Sequence, residues 1–273
     1  MIITQSASGS SDAPRAFVPT MGALHEGHRA LMRVAREYVG ASGEVVVSVF
    51  VNPLQFGAGE DFDKYPRTLE ADAEACEAEG VDVLYAPTVH GVYGANPSIT
   101  VDAGALGNEL EGAARPGHFA GVLTVVAILL HQVAPQFAIF GEKDYQQLEL
   151  IRRMSRDLSF PVTVIGVPTV RENDGVARSS RNAYLTASER RMASAIPRAL
   201  EAGRAHTCAG DVRDAAITEL QSAGLAIDYV EIRGVDLGPA PDQGEARLLI
   251  AVHAGSTRLI DNCPVMLTGD DAS

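Results

Sequence analysis

The first 170 residues alternate between two patterns of apolar positions. Runs rich in β-branched residues, such as residues 44–51, are typical of strands buried on both faces of a parallel sheet. Between these runs, apolar residues recur at helical spacing, as they do after His28 at Leu31, Val34 and Ala35. The first predicted strand ends at Val18, and the others cover 44–51, 81–86, 136–140 and 162–167. The first predicted helix begins near His28, the next two cover 69–79 and 120–133, and the last ends near Leu158.

This order of strands and helices predicts an α/β fold with a doubly wound, Rossmann-like parallel sheet. Right-handed crossovers would bring the loops after Val18, Val51 and Phe140 to one edge of the sheet, where ligands gather in open α/β proteins. Residues up to about Pro14 are serine-rich, so we expect them to be mobile. The glycine-rich residues 88–117 predict irregular structure.

The pattern changes after a cluster of turn residues at 171–175. The predicted elements beyond it are helices 186–202 and 212–223, followed by strands 228–233, 247–252 and 257–260. Helices followed by strands favour a smaller α+β domain. We therefore expect an N-terminal domain of residues 1–170 and a C-terminal domain of residues 171–273.

Charge and cysteine content narrow the setting in which the protein works. A net charge of −13 argues against a general nucleic-acid or anionic-membrane surface. Three cysteines with neither metal-ligand spacing nor a paired framework fit a reducing cytoplasm, and the first ten residues do not resemble a signal peptide. Residues 117–141 carry no Asp, Glu, Lys or Arg, but polar residues such as His118 and His131 interrupt them. We therefore predict a buried helix and a strand there, rather than a membrane span.

Candidate chemistry begins at residues 17–28, where a short strand passes through a turn into a helix. Gly22 and Gly27 permit close approach of a ligand to the backbone, and His25 and His28 fall at the helix N-terminus, which favours anions. Two imidazoles add donors that can follow charge on phosphate oxygens. The His-x-Gly-His pattern after a strand resembles the signature of the nucleotidyltransferase superfamily, which includes class I aminoacyl-tRNA synthetases. The alternative is a turn with two surface histidines.

Other polar residues follow predicted strands or lie in loops. Asn52 and Gln55 follow one strand and are candidate ligand contacts, although an Asn-Pro turn with a surface Gln explains them equally well. Lys143 begins a helix after another strand and is placed to face a phosphate. Arg115 and His118 could meet a carboxylate or a phosphate.

A polar string in the second half offers a further anion site. Residues 178–182 place two hydroxyls between two guanidinium groups, which would make a cradle for phosphate oxygens. The alternative is a solvated polar loop.

Taken together, these motifs resemble the pantothenate synthetase (pantoate–β-alanine ligase) family in order and spacing. The segments that carry the resemblance are residues 19–28, 51–57, 115–119, 140–148 and 179–182, with 229–232 and 257–261 in the C-terminal domain. The resemblance implies an ATP- and Mg²⁺-dependent enzyme that joins pantoate to β-alanine through a pantoyl adenylate, releasing pyrophosphate and AMP. It also implies a cytoplasmic homodimer with neither nucleic-acid nor membrane partners.

The same resemblance assigns roles to residues. It implies a C-terminal domain that closes over the ATP phosphates, with His28 as proton donor and His25, Lys143 and Arg181 as its other catalytic groups. The implied ATP-binding residues are Met21, Gly22, Ala23, Leu24, His25, Glu26, Gly27, His28, Gly141, Glu142, Lys143, Asp144, Val170, Arg178, Ser179, Ser180 and Arg181. The implied substrate-binding residues are Gln55 and Gln147, followed by Asn52, Arg115 and His118. No side chain is assigned to the metal; Asp72 is a candidate neighbour of it, but a helix-surface carboxylate is the preferred interpretation.

The chain departs from the family in two places. A short serine-rich segment stands where the family opens with a helix, and Arg178 stands where the family usually has methionine. Two alternative functions remain: a nucleotidyltransferase that stops at nucleotide transfer, and a nucleotide-binding regulatory protein that has lost catalysis. Gln55 and Gln147, in place of further phosphate-binding cations, argue against the first. Retention of His25, His28, Lys143 and Arg181 leaves the second without support.

Overall fold

The computed structural model describes residues 1–6, 13–57 and 62–269. The chain forms two compact units. The first comprises Met1–Glu142 and Gln146–Pro168, and the second comprises Lys143–Tyr145 and Thr169–Ser273.

A six-stranded parallel sheet forms the first unit. Its strands are β1 (Ile2–Thr4), β2 (Arg15–Thr20), β3 (Glu44–Val49), β4 (Val83–Tyr85), β5 (Phe137–Gly141) and β6 (Thr163–Val167), in the spatial order β1-β4-β3-β2-β5-β6. Every pair is parallel, which confirms the predicted α/β class. The order turns back between β2 and β5, so the loops after Thr20 and Gly141 leave the sheet at its switch point, the usual ligand position in such sheets.

Helices cover the sheet and connect its strands. They are α1 (Glu26–Val39), α2 (Leu69–Ala78), α3 (Val89–Tyr93), α4 (Glu111–Ala114), α5 (His118–Val133) and α6 (Tyr145–Asp157). The β-branched run of β3 is buried, as expected for a central strand, and Met32 and Ala35 of α1 pack in the same core as Val45 and Val47. Within the described residues, no helix combines the length and apolar character needed to cross a membrane.

Two expectations for the first unit were wrong. Residues 2–4, expected to be mobile, form edge strand β1, because backbone hydrogen bonds from Ile2 to Asp82 and from Ala86 to Thr4, both 2.8 Å, tie them to β4. Residues 7–12 of the same segment lie outside the described residues. The stretch 88–117, expected to be irregular, contains α3 and α4; the Thr88 hydroxyl caps α3 by accepting a hydrogen bond from the Gly91 amide.

The second unit is an antiparallel sheet packed against helices, as predicted for the smaller domain. Its elements are α7 (Ala187–Ala193), α8 (Ala195–Arg204), α9 (Ala209–Ser222), β7 (Ala226–Gly234), β8 (Gly244–Ala254) and β9 (Thr257–Leu267), with the sheet order β7-β8-β9. The single helix predicted over 186–202 breaks at Ser194, because Pro197 has no amide hydrogen and its ring would collide with the carbonyl four residues earlier. Strand β9 continues beyond 260 through Pro264, which is tolerated because β9 is an edge strand.

Candidate active site

The two histidines of the His-x-Gly-His pattern cap helix α1 reciprocally. His25 is the N-cap residue: its Nδ1 accepts a hydrogen bond from the Gly27 amide at 3.1 Å, and its own amide donates to His28 Nδ1 at 3.2 Å. This is a capping box built from imidazoles instead of Ser and Glu. A β-carbon on residue 27 would lie 2.9 Å from His25 Cε1, so glycine is needed there for the ring to pack against the backbone.

The capping contacts also define what the imidazoles can donate. Because Nδ1 of His25 and Nδ1 of His28 both accept amide hydrogens, each neutral ring carries its proton on Nε2. The ring centroids are 4.0 Å apart. The helix N-terminus therefore presents two neighbouring Nε2–H donors together with the positive end of the helix dipole. That arrangement suits an anionic oxygen.

The turn that leads into this helix is held by a carboxylate from α2. Gly22 and Ala23 adopt positive φ values of 86° and 51°. Asp72 accepts hydrogen bonds from the Ala23 amide at 3.2 Å and the Leu24 amide at 2.8 Å, and it is 1% exposed. The expectation of a helix-surface carboxylate at Asp72 was therefore wrong, because the turn buries it.

Met21 and Glu26 flank this turn and the start of α1. Met21 is half-buried, and its sulfur accepts a hydrogen bond from Gln55 Nε2 at 3.0 Å. Glu26 is exposed in the first turn of α1, where it pairs with Arg33. A carboxylate at that position complements the helix dipole.

Asn52 and Gln55 lie together at the carboxyl end of β3. The Asn52 amide nitrogen donates to Gln55 Oε1 at 3.0 Å and to the Gly121 carbonyl at 3.1 Å, while its oxygen accepts from the Leu54 amide and the Tyr93 hydroxyl. Burial raises the pKa of Tyr93, which keeps that hydroxyl protonated. Asn52 is 1% exposed, its hydrogen-bonding capacity is used within the protein, and one of its bonds orients the Gln55 side chain.

Of the Asn52 and Gln55 side chains, Gln55 is better able to take a new hydrogen-bond partner. Within the part of the chain that the structure describes, its Nε2 has only a thioether sulfur as acceptor, and sulfur accepts weakly. The half-buried Gln55 can therefore exchange this contact for a stronger acceptor on a ligand.

Arg115 and His118 converge on the backbone of the same residue. His118 Nδ1 lies 2.8 Å from the Gln55 carbonyl, and Arg115 Nη2 donates to that carbonyl at 3.3 Å. Arg115 Nη1 lies 3.0 Å from His118 Nε2. Because a guanidinium can only donate, Nε2 accepts and His118 carries its proton on Nδ1. The structure thus brings Asn52, Gln55, Arg115 and His118 into one hydrogen-bonded group.

The paired glutamines of α6 face different surroundings. Gln146 is buried. Its side-chain oxygen accepts a hydrogen bond from the Glu111 amide, and its side-chain nitrogen donates to the carbonyls of Leu106 and Glu109, so it braces the loop before α4. Gln147 is half-buried. Of the two, Gln147 is the more exposed.

The second unit carries the candidate cation Lys143. Gly141 ends β5, and Glu142, Lys143 and Asp144 form a single 3₁₀ turn. The Lys143 side chain is 19% exposed, and its Nζ lies 3.8 Å from Asp144 Oδ1. A hydrogen bond fixes the backbone here, since Asn262 Nδ2 donates to the Lys143 carbonyl at 3.0 Å.

Tyr145 secures the other end of this segment. Its hydroxyl donates to the Val235 carbonyl at 2.8 Å, and the Arg247 guanidinium lies 3.8 Å from its ring centroid. Arg247 is 7% exposed and its Nε donates to Asn262 Oδ1 at 2.8 Å. A buried cation and an amide therefore determine where the Lys143 backbone lies.

Ser179, Ser180 and Arg181 form the start of a short 3₁₀ turn in the second unit. Ser179 Oγ accepts a hydrogen bond from the Arg181 amide at 3.3 Å. Asn182 braces the turn by donating to Glu172 Oε1 at 2.8 Å and to the Ala177 carbonyl at 3.0 Å. The side chains of residues 179–181 are half-buried, which leaves them accessible to a phosphate.

Arg178 precedes this turn and differs from its two serine neighbours. Its amide donates to the Val170 carbonyl at 2.9 Å, which places the backbones of these two candidates side by side. The residue is half-buried, and its Nε is buried without a hydrogen-bond partner among the described residues. The packed stem of Arg178 thus includes a polar atom that burial leaves unsatisfied.

Sequence patterns did not predict which residues support these groups, and Asp72 was considered only as a neighbour of the metal or a helix-surface carboxylate. Tyr93 fell in a stretch expected to be irregular, and Asp72, Arg247 and Asn262 act on backbone or side chains that are distant in sequence. Their only sequence signal is a polar residue type within an otherwise apolar element, and that signal does not name a partner. Among the described residues, no cluster of three His, Cys, Asp or Glu side chains is arranged to hold a metal ion.

An open parallel sheet whose central strand leads into a helix capped by the His-x-Gly-His pair defines the class: an α/β protein with a Rossmann-like parallel sheet and an anion-suited helix start at the switch point of that sheet. The family model for pantoate–β-alanine ligase matches residues 3–264 of the chain. The chain therefore belongs to the pantoate–β-alanine ligase family, which confirms the resemblance found in the sequence.

Individual relatives agree with this assignment. Pantothenate synthetase of Saccharopolyspora erythraea is 57% identical over 259 residues, covering 92% of this chain and 83% of the relative. The crystal structure of pantothenate synthetase from Thermus thermophilus is 45% identical with a TM-score of 0.91, covering 96% of this chain and 99% of the other. That of Francisella tularensis pantoate–β-alanine ligase, complexed with β,γ-ATP and β-alanine, is 33% identical with a TM-score of 0.80, covering 96% and 97%. These relatives support a ligase over an enzyme that stops at nucleotide transfer.

Proposed function

We propose that the protein condenses pantoate with β-alanine at the expense of ATP, forming pantothenate through a pantoyl adenylate. In the first step a pantoate carboxylate oxygen bonds to the α-phosphorus of ATP, the bond between α- and β-phosphates breaks, and pyrophosphate leaves. In the second step the β-alanine amine attacks the acyl carbon, AMP leaves, and the amine nitrogen loses a proton. Membership of the ligase family and the relative that holds ATP and β-alanine ligands support this reaction.

The capped helix N-terminus would serve the first step. The Nε2–H groups of His25 and His28 are fixed by their Nδ1 contacts before any ligand arrives, so they need no reorganisation when charge develops on the phosphate oxygens. We assign His28 as the proton donor and His25 as a phosphate partner. Residues 21–27 would contribute backbone contacts to the nucleotide, as would Gly141 and Glu142.

The amide group at the end of β3 would serve the acid substrate. Gln55 and Gln147 offer donors and acceptors that suit a hydroxy acid. Hydrogen bonds with Asn52, Arg115 and His118 hold Gln55 in place. This support argues that Arg115 and His118 contribute to orientation of Gln55. Positioning the carboxylate for attack is a large part of what such an enzyme has to supply.

The second unit would supply the groups for the phosphates. Lys143 and Arg181 are cations, and Ser179, Ser180 and the backbone of Asp144 and Val170 can add hydrogen bonds. Mg²⁺ is assigned to the ATP phosphates, since this ion keeps several waters and commonly binds through substrate phosphates. The described residues, which hold no three-ligand cluster, are compatible with a metal that enters with the nucleotide. We also propose a cytoplasmic homodimer with neither nucleic-acid nor membrane partners, and sedimentation equilibrium would test the dimer.

The reciprocal capping of His25 and His28 is the observation that carries the proposal, because it preorganises the phosphate site without any contribution from the amine. Pantoate-dependent exchange of labelled pyrophosphate into ATP should therefore proceed with β-alanine absent. Addition of β-alanine should then yield AMP and pantothenate in equal amounts. If exchange strictly required β-alanine, the stepwise adenylate mechanism would be wrong, and if no pantothenate formed, the ligase assignment itself would fail.

A further inference from the structure

Asp72 is a buried carboxylate whose partners are neutral. It lies in the first turn of α2 and is 1% exposed, yet within the described part of the chain it forms no ion pair. Its Oδ1 accepts the Leu24 amide at 2.8 Å, and its Oδ2 accepts the Ala23 amide at 3.2 Å and the Thr68 hydroxyl at 3.3 Å. Burying an unpaired charge is unfavourable unless hydrogen bonds satisfy it, so these three donors are the reason the carboxylate is tolerated.

The turn that Asp72 holds is strained. Ala23 has a φ of 51°, a left-handed conformation that a residue with a β-carbon disfavours. Gly22, with a φ of 86°, has no space for a side chain, since a β-carbon would lie 2.9 Å from both Asp72 Oδ2 and Val49 Cγ1. Such conformations persist where the surrounding contacts over-determine them. Here those contacts are the two hydrogen bonds that backbone amides of the turn donate to Asp72.

This strained turn directly precedes the capped helix start. Leu24, whose amide binds Asp72, is adjacent to His25, and the His25 amide binds His28 Nδ1. The hydrogen bond from Leu24 to Asp72, the peptide bond from Leu24 to His25 and the hydrogen bond from the His25 amide to His28 therefore connect Asp72 to the capped helix start. Two of the three donors to Asp72 are amides of this turn, so the carboxylate is oriented toward the turn.

We propose that Asp72 is a positioning residue for adenylation: it fixes residues 22–24 so that the Nε2–H groups of His25 and His28 are held ready for the ATP phosphates. It acts through the turn and does not bind the metal. This inference rests on the proposed function for its catalytic readout, but the underlying order of the histidines can be measured without substrate.

The test uses Asp72→Asn, which keeps the shape of the side chain. An amide has only one oxygen and turns an NH₂ group toward one of the two backbone donors, so at least one turn bond is lost. The matched control is Asp82→Asn in the same unit. Asp82 Oδ2 also accepts a backbone amide, from Val45 at 2.7 Å, and pairs with Arg36 at 2.5 Å, but it does not contact the turn.

Two measurements decide the outcome. In pyrophosphate exchange, Asp72→Asn should lower kcat by about 10- to 100-fold, the scale of a misplacement near 1 Å, with less than about threefold change in the KM for pantoate. In substrate-free ¹⁵N spectra, the wild-type histidines should show single Nε2–H tautomers, and Asp72→Asn should mix tautomers at His25 and His28 whereas Asp82→Asn should not. Ala23→Gly added to Asp72→Asn should recover part of the exchange rate by relieving the left-handed strain.

Other results would overturn the proposal. Unchanged imidazole signals in a folded Asp72→Asn protein would show that the turn does not depend on the carboxylate. A higher Mg²⁺ requirement with normal signals would make Asp72 a metal ligand. Equal losses of activity and thermal stability in both variants would leave only a general structural role. Absence of exchange in the wild type would refute the proposed function while leaving the imidazole test intact.

Discussion

Replacing Arg178 by methionine should stabilise the protein while leaving its affinity for ATP nearly unchanged. Arg178 is half-buried, its amide bonds to the Val170 carbonyl, and its Nε is buried with no hydrogen-bond partner among the described residues. A buried donor without a partner costs about 1–3 kcal/mol. Methionine keeps an unbranched stem of similar length and has no donor at that position, so Arg178→Met removes this cost without opening a cavity.

The expected gain is at the lower end of that range, because the substitution also removes a guanidinium that water stabilises. A gain of about 1 kcal/mol in the free energy of unfolding corresponds to a rise in Tm of about 2–4 °C for a protein of this size. The ATP affinity should change by less than about threefold, since we expect the charged end of Arg178 to lie in water and not on a phosphate.

Thermal unfolding without nucleotide and calorimetric titration with a non-hydrolysable ATP analogue would measure the two quantities. Arg191→Met is the matched control: Arg191 is exposed on α7, so the same change of charge and shape removes no buried donor. The control should leave Tm within about 1 °C, as is usual for surface substitutions. A lower Tm for Arg178→Met would refute the argument from the buried Nε. A tenfold weaker affinity for ATP, with pantoate binding unchanged, would place the guanidinium on a phosphate.

Four further predictions concern other parts of the molecule. His28→Ala and Lys143→Ala should each cost about 2–4 kcal/mol of transition-state stabilisation in pyrophosphate exchange with unchanged circular dichroism, and a near-normal rate would remove that residue from the mechanism. Asn262→Ala deletes the hydrogen bond to the Lys143 carbonyl and should slow exchange about tenfold, whereas an unchanged rate would show that the segment holds itself in place. Burial raises the pKa of the Cys76 thiol to about 12, so a thiol reagent at pH 8 should modify half-buried Cys208 first and Cys76 only on unfolding. Above pH 9 the unfolded chain releases the Cys76 proton that the folded state retains, so stability measured by denaturant should fall as the pH rises, and a rise would contradict the assignment.

The parts of the fold that sequence could predict are those with periodic patterns. The β-branched run of β3 and the helical spacing of α1 led to the correct sheet class and placed His25 and His28 at a helix start. Edge strand β1 could not be found this way, because its three residues are too few to show a period and Ile2 and Ile3 are exposed. It is specified by backbone bonds to β4, which any sequence can make.

The candidate site was predictable as a set of residues but not as a set of contacts. Residue type and the strand-end rule indicated Gln55, while nothing local indicated that Asn52 would be saturated by partners as distant as Tyr93 and Gly121. Asp72 illustrates the limit most clearly. A carboxylate on a polar helix normally faces solvent, and its actual partners are the amides of a turn 48 and 49 residues earlier, which have no side-chain signature.

Lys143 shows that position in the chain and membership of a packing unit are separate properties. The residue follows β5 directly, so sequence order assigns it to the parallel sheet, yet residues 143–145 pack with the second unit. The reason lies in three contacts: Tyr145 gives its hydroxyl to the Val235 carbonyl, its ring faces the Arg247 guanidinium, and Asn262 joins that guanidinium to the Lys143 carbonyl. Lys143 thus belongs to the same unit as residues 179–181, the other groups proposed for the phosphates. The imidazole donors of the first unit depend instead on a turn fixed by Asp72. Each set is preorganised by contacts within its own unit, which is the property that electrostatic stabilisation of a phosphoryl transition state requires.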